Sequence, residues 1–154
     1  MAHFPVLETE GSALPMIRYQ DTLEGVTTDQ LQGFFAGWPK PPSPATHLRL
    51  LQGSQHFILA RNETLGTVVG FITAVSDGVL SAYIPHLEVL SAYQGQGIGS
   101  ELVRQMLERL RQIYMVDLIC DPELQPFYAR LGMRPWTAMV VRNYERQAGI
   151  EALE

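Results

Sequence analysis

A chain of 154 residues, 46% hydrophobic and 18% charged, has the length and composition of one globular domain rather than a disordered or multidomain protein. Acidic residues outnumber basic ones 16 to 11, for a net charge of −5 and no basic cluster, which argues against nucleic acid as a partner and, through steering, for cationic small molecules. No apolar run approaches the roughly 18 residues a membrane-crossing helix needs. The first residues carry no cationic stretch leading into an apolar one, so no secretory signal is expected, and a single cysteine, Cys120, cannot form an internal disulfide. A cytoplasmic location follows as the expectation.

Residues 1–15, with Pro5, Gly11 and Pro15, read as an arm, 16–146 as the folded domain and 147–154 as a tail. Residues 16–19 predict a short strand. Residues 28–35 predict a capped helix with Leu31, Phe34 and Phe35 on one face. Four prolines between Trp38 and Pro44 enforce a stiff loop, and Ser43-Pro44 is a helix start, a cap followed by the first helical position, for a helix through 45–52. Strands follow at 56–61 and 67–75, then a turn at Asp77-Gly78 and a third strand over 79–90 with Pro85 inside it. A proline there removes a ladder donor and marks an edge, a bulge or a place where strands part. Residues 100–114 carry apolar side chains at helical spacing. Residues 115–120 read as a buried apolar strand, 121–131 as a helix closed by Gly132, and 133–143 as a last strand. The expected architecture is an α/β (α+β) sheet with helices on both faces.

The most informative stretch is Gln94-Gly95-Gln96-Gly97-Ile98-Gly99-Ser100, which joins a strand to the best helix. Glycines let backbone N–H groups point inward and a helix N-terminus adds partial positive charge, so phosphate is the natural ligand. A P-loop is excluded because no lysine ends the turn. A dinucleotide fold fits Gly95, Gly97 and Asp121, but wants the turn near the start of the chain rather than after about eighty residues of other elements.

The segment from Leu87 to Ser100 resembles the acetyl-CoA signature of the GNAT superfamily of N-acetyltransferases, in the pattern Gln/Arg-x-x-Gly-x-Gly/Ala at Gln94, Gly97 and Gly99. The run Phe127-Tyr128-Ala129-Arg130-Leu131-Gly132-Met133 is similar to a second landmark of that family. The resemblance, over about residues 16–145, implies a mixed, mostly antiparallel sheet whose strands splay at the acetyl-CoA site. It places Val89 beside the pantetheine arm and the pyrophosphate on the amides of Gln94, Gly95, Gln96, Gly97, Ile98, Gly99 and Ser100, with Phe127 completing the cofactor set. It implies acetyl transfer from acetyl-CoA to an amine of a small molecule or peptide without a metal, and allows a homodimer.

Transfer to an amine needs a group to take the amine's proton and one to assist the leaving thiolate. The resemblance assigns the second task to Tyr128. The base stays open. The register used by several branches of the family holds Tyr83 and Pro85 here, neither of them a base; Tyr83 is expected to border the substrate. Glu88 and His86 lie on the other face by strict alternation, unless a bulge near Pro85 changes the phase. Glu88 is the candidate base or acceptor-binding acid, with His86 or a water relay as alternatives. Phe35 and Trp38 are expected to shape the acceptor pocket, and Cys120 to pack in the core. A domain that binds CoA esters without turnover is the rival function.

Overall fold

A computed structural model describes residues 13–152; residues 1–12 of the expected arm and the last two of the tail lie outside the described residues. Five strands form one sheet in the order β1-β2-β3-β4-β5: β1 Ile17–Gln20, β2 His56–Asn62, β3 Val68–Ser76, β4 Ser81–Val89 and β5 Met115–Asp117. All neighbours are antiparallel except β4 and β5, which run parallel. Three α-helices accompany them: α1 Pro44–Gly53, α2 Ile98–Arg109 and α3 Gln125–Ala129. No helix among the described residues is long and apolar enough to cross a membrane.

The sheet is covered on both faces, as its composition predicts. Helix α2 buries Leu102, Val103 and Met106 against Ile58, Ile72, Ala82 and Ile84. On the opposite face Leu51 of α1 joins Leu31, Phe34 and Phe35 over Leu59, Val68 and Phe71. Burying one such aliphatic or aromatic side chain contributes about 1.5–3 kcal/mol. Ser43 caps α1 through Thr46 N–H at 3.1 Å with Pro44 at the first position. The β3–β4 turn is closed by Asp77, whose Oδ1 accepts N–H bonds from Val79, Leu80 and Ser81 and holds the carboxyl well below the usual carboxylate range.

Four expectations need correction. Residues 28–35 are a 3-10 turn, Thr28–Leu31, rather than a helix, because the chain then folds through positive φ at Gly33, Phe35 and Gly37. The segment 121–131 is a 3-10 turn, Pro122–Leu124, followed by the short α3. Strand β5 has three residues instead of six, with Met115 and Ile119 exposed and Cys120 only half-buried. Residues 133–143 form no strand at all. The last two share a cause: an apolar run becomes a buried strand only when a neighbour pairs with it, and among the described residues β5 has only β4.

Candidate active site

Strands β4 and β5 stay together for only three pairs, Ser81↔Met115, Ala82↔Val116 and Tyr83↔Asp117. Past Tyr83, β4 continues on β3 alone, and Pro85 follows at once. The edge of β4 from Ile84 to Val89 is therefore open toward the chain that leaves β5.

At the end of that open edge the chain makes a 3-10 turn, Ser91–Tyr93, and enters the glycine turn. Gly95 and Gly97 sit at φ 76° and 83°, and Gly97 is the left-handed N-cap of α2. Only glycine adopts this conformation without strain. The first intrahelical bond is Glu101 N–H to the Gly97 carbonyl at 3.0 Å, so the N–H groups of Ile98, Gly99 and Ser100 precede the ladder and stay free for a ligand. Gln94 ties the turn to β4 by donating from Nε2 to the Val89 carbonyl at 2.9 Å. A cavity of about 400 Å³ lies here, lined by Val89, Tyr93, Gln94, Gly95, Gly97, Ile98, Gly99, Ser100 and Phe127. The lining contains every residue of the expected cofactor set except Gln96. Tyr93, fixed by Asn62 Nδ2 donating to its hydroxyl at 3.1 Å, was not expected; it lies inside the motif, but its role depends on a contact from β2. A Cβ on Gly99 would meet Phe127 Cζ at 3.6 Å and Val89 Cγ2 at 3.8 Å, so a side chain there would fill the space between these two residues.

Tyr128 stands on α3, with its ring edge-on to Phe127 at 4.9 Å and packed against the α2-side core. Burial, helped by Cys120 nearby, pushes its hydroxyl up to about 12. It therefore keeps its proton at neutral pH, and no hydrogen bond to its hydroxyl contributes to that shift.

The other face of β4 builds a second wall. Thr73 pairs with His86 but Val75 with Tyr83, so Ala74 of β3 lies opposite two residues of β4, Ile84 and Pro85. This bulge at Ile84–Pro85 shifts the alternation. Ala82 and Ile84 share the α2 core with Leu87 and Val89, which leaves Tyr83, His86 and Glu88 on the opposite face together. Strict alternation would have separated them.

Glu88 reaches the aromatic loop. Its Oε2 accepts from Phe35 N–H at 2.7 Å and its Oε1 from Ala36 N–H at 3.2 Å. Phe35 is the one non-glycine residue at positive φ among those described, at 60°. A carboxylate accepting two backbone N–H groups contributes about 1.5–3 kcal/mol per bond, enough to offset the roughly 1 kcal/mol strain of a left-handed residue. Phe35 is buried and stacks edge-on with the half-exposed Trp38 at 5.2 Å. Behind them His86 Nδ1 lies 3.0 Å from Thr73 Oγ1, and burial lowers the His86 imidazole. His47 packs among Phe34, Phe35 and Phe71 with neither ring nitrogen partnered, and burial, with His86 adding repulsion, lowers it to about 4. No group of three metal-ligating side chains occurs among the described residues.

Fold and site together define an α/β domain with a helix-opening glycine turn beside two parallel strands that part after three pairs. A model of the acetyltransferase (GNAT) family matches residues 23–133, and the chain belongs to that family. It is 30% identical over 99 residues to the uncharacterized N-acetyltransferase ycf52 of Porphyra purpurea, covering 62% of this chain and 57% of that one. It is equally 30% identical over 106 residues to the histone acetyltransferase TAP1 of Glycine max, covering 62% and 46%. The chain thus spans about half the length of these curated relatives. A Deinococcus radiodurans R1 structure classed as an acetyltransferase matches with a TM-score of 0.86 at 52% identity, covering 88% of this chain and 94% of that one. The GNAT family protein SP0256 of Streptococcus pneumoniae TIGR4 matches at 0.63 and 28%, covering 83% and 98%.

Proposed function

We propose that this chain is an N-acetyltransferase that moves the acetyl group of acetyl-CoA to a primary amine by direct attack in a ternary complex. The observation that carries this reading is the helix-opening turn, with three free amides, beside the open edge of β4, in a cavity lined by Phe127, against whose ring Tyr128 packs. The amides of Ile98, Gly99 and Ser100 hold the pyrophosphate. The open edge of β4 near Val89 pairs with the pantetheine arm, and Phe127 closes its other side. The acetyl-CoA is a co-substrate, and no metal is required.

In the reaction the amine nitrogen bonds to the acetyl carbon, the carbon–sulfur bond breaks, the sulfur leaves with the electron pair and the amine gives up a proton. Tyr128, protonated, donates a hydrogen bond to the sulfur as charge develops there. Glu88 supplies negative charge for the acceptor's ammonium and fixes the loop that carries Phe35 and Trp38. His86, kept neutral by burial, is a free base on the same face as Tyr83 and takes the proton. The net charge of −5 favours cationic acceptors, and both small amines and peptide lysines meet that description.

The test is amine-dependent CoA release over a panel of polyamines, amino acids, aminoglycosides and lysine peptides, with the acetylated product identified by mass. Turnover with at least one member is expected. Binding of acetyl-CoA without amine-dependent release from any of them would instead assign a CoA-ester-binding module.

A further inference from the structure

Residues 68–74 of β3 are all buried, and Thr73, at 0% exposure, brings the polar side chain among them. Burying a hydroxyl costs free energy unless it is hydrogen-bonded. Its partner is on β4: Thr73 lies directly opposite His86, and its Oγ1 is 3.0 Å from Nδ1 of that ring. The pairing depends on the bulge at Ile84–Pro85, because in strict alternation His86 would share the face of Ile84 toward α2. The ring stands edge-on to Phe35, with centroids 6.1 Å apart, and tilted to Phe71 at 6.2 Å. Thr73 is fully buried whereas His86 keeps partial exposure. Nδ1 is thus the nitrogen committed to the sheet, and Nε2 is the one left for a substrate.

Which nitrogen of a neutral imidazole carries the proton is set by the bond that the other nitrogen makes. We propose that Thr73 is a positioning residue for acetyl transfer: its Oγ1 accepts from Nδ1–H of His86, so that the free electron pair stands on Nε2 and takes the proton of the acceptor amine. This rests on the reading of His86 as the base. As the amine nitrogen bonds to the acetyl carbon, its proton passes to Nε2 and the ring becomes a cation. Nδ1–H keeps its bond to Thr73, which is stronger from a charged donor. The proton then leaves Nε2 for water. The opposite arrangement, with the hydroxyl donating to a bare Nδ1, puts the proton on Nε2 and leaves no base for the amine. The other titratable groups around the ring are His47 of α1, which shares the contacts with Phe35 and Phe71, and Tyr83 and Glu88 on the same face of β4.

Nitrogen NMR of the histidine rings at neutral pH reads the tautomer without any acceptor. His86 of the wild type, assigned by the signals lost in His86→Gln, is expected in the Nδ1–H form. Thr73→Val keeps the shape and removes the acceptor, so that form should be lost. In amine-dependent CoA release Thr73→Val should lower kcat by about tenfold and move the acid limb to lower pH, because the protonated ring loses its partner too. The KM values for amine and acetyl-CoA should stay within about twofold. Thr73→Ser keeps the hydroxyl and should restore the tautomer, with kcat within about threefold of the wild type. If circular dichroism shows Thr73→Val unfolded, Thr73→Ala replaces it with the same expected changes. A wild-type ring in the Nε2–H form overturns the inference. So does an unchanged kcat and limb in Thr73→Val, which leaves the base reading intact where His86→Gln abolishes the limb. A limb that survives His86→Gln overturns the base reading and the inference with it.

Discussion

Tyr128 illustrates how an environment sets what a residue can do. At about 12 its hydroxyl is a poor proton source but a permanent hydrogen-bond donor. Tyr128→Phe should leave acetyl-CoA affinity within about twofold and lower kcat by about 10- to 1000-fold, checked by calorimetry beside steady-state kinetics; unchanged kcat would reduce the residue to packing. Glu88 and His86 are separated by pH. A histidine lowered by burial is deprotonated by neutral pH, so the rate should rise with pH along a limb whose midpoint lies below the ordinary histidine range. His86→Gln should remove that limb. Glu88→Gln should keep it and raise the acceptor KM, since an amide cannot accept from both Phe35 and Ala36 N–H. Loss of the limb in Glu88→Gln would make Glu88 the base. In the sequence the glycine turn was legible from its spacing ahead of a helix, and Tyr128 only through the resemblance carried by the Phe127–Met133 run. The partners of Glu88 were not, because Phe35 and Ala36 lie more than fifty residues away.

At the scale of elements, local signals were reliable where the cause is local. Ser43-Pro44 starts α1, Asp77-Gly78 closes its turn, and Gly132, at φ 93°, follows the α3 region as a left-handed stop. They failed where an element depends on a distant neighbour: β5 shrank and the strand over 133–143 did not form, since periodicity cannot say which chain supplies the partner. The bulge in β4 is intermediate. Pro85 signalled an irregularity, but only the pairing with β3 shows that it unites Tyr83, His86 and Glu88. The glycine turn permits a sharper test than its left-handed positions allow, because Gly99 carries no positive φ. Gly99→Glu should fold, place a carboxylate between Val89 and Phe127, and weaken acetyl-CoA binding by about 100-fold, roughly 2.7 kcal/mol, measured by calorimetry. Retained affinity would move the cofactor away from α2.

For the whole molecule, the described histidines set the acid limit of stability. Burial lowers His47 to about 4 and also lowers His56 and His86. The unfolded chain binds these protons near pH 6.5 and the folded chain only at lower pH. Stability is therefore full above about 6.5 and falls as pH drops toward 4, with His47 alone accounting for about 2 kcal/mol by pH 5. His47→Leu removes both the titration and two unpartnered ring nitrogens. It should hold or raise the melting temperature at pH 7 and reduce the loss on going to pH 5. An unchanged pH profile would assign the acid sensitivity elsewhere.

The account rests on acetyl-CoA lying along the open edge of β4 with its pyrophosphate on the start of α2. An amide NMR titration with acetyl-CoA reads this residue by residue. The predicted result is that the largest shifts fall on Val89, Gly97, Gly99 and Ser100, with smaller ones on Phe127 and Tyr128. Shifts concentrated on other elements, or none at millimolar acetyl-CoA, would contradict it.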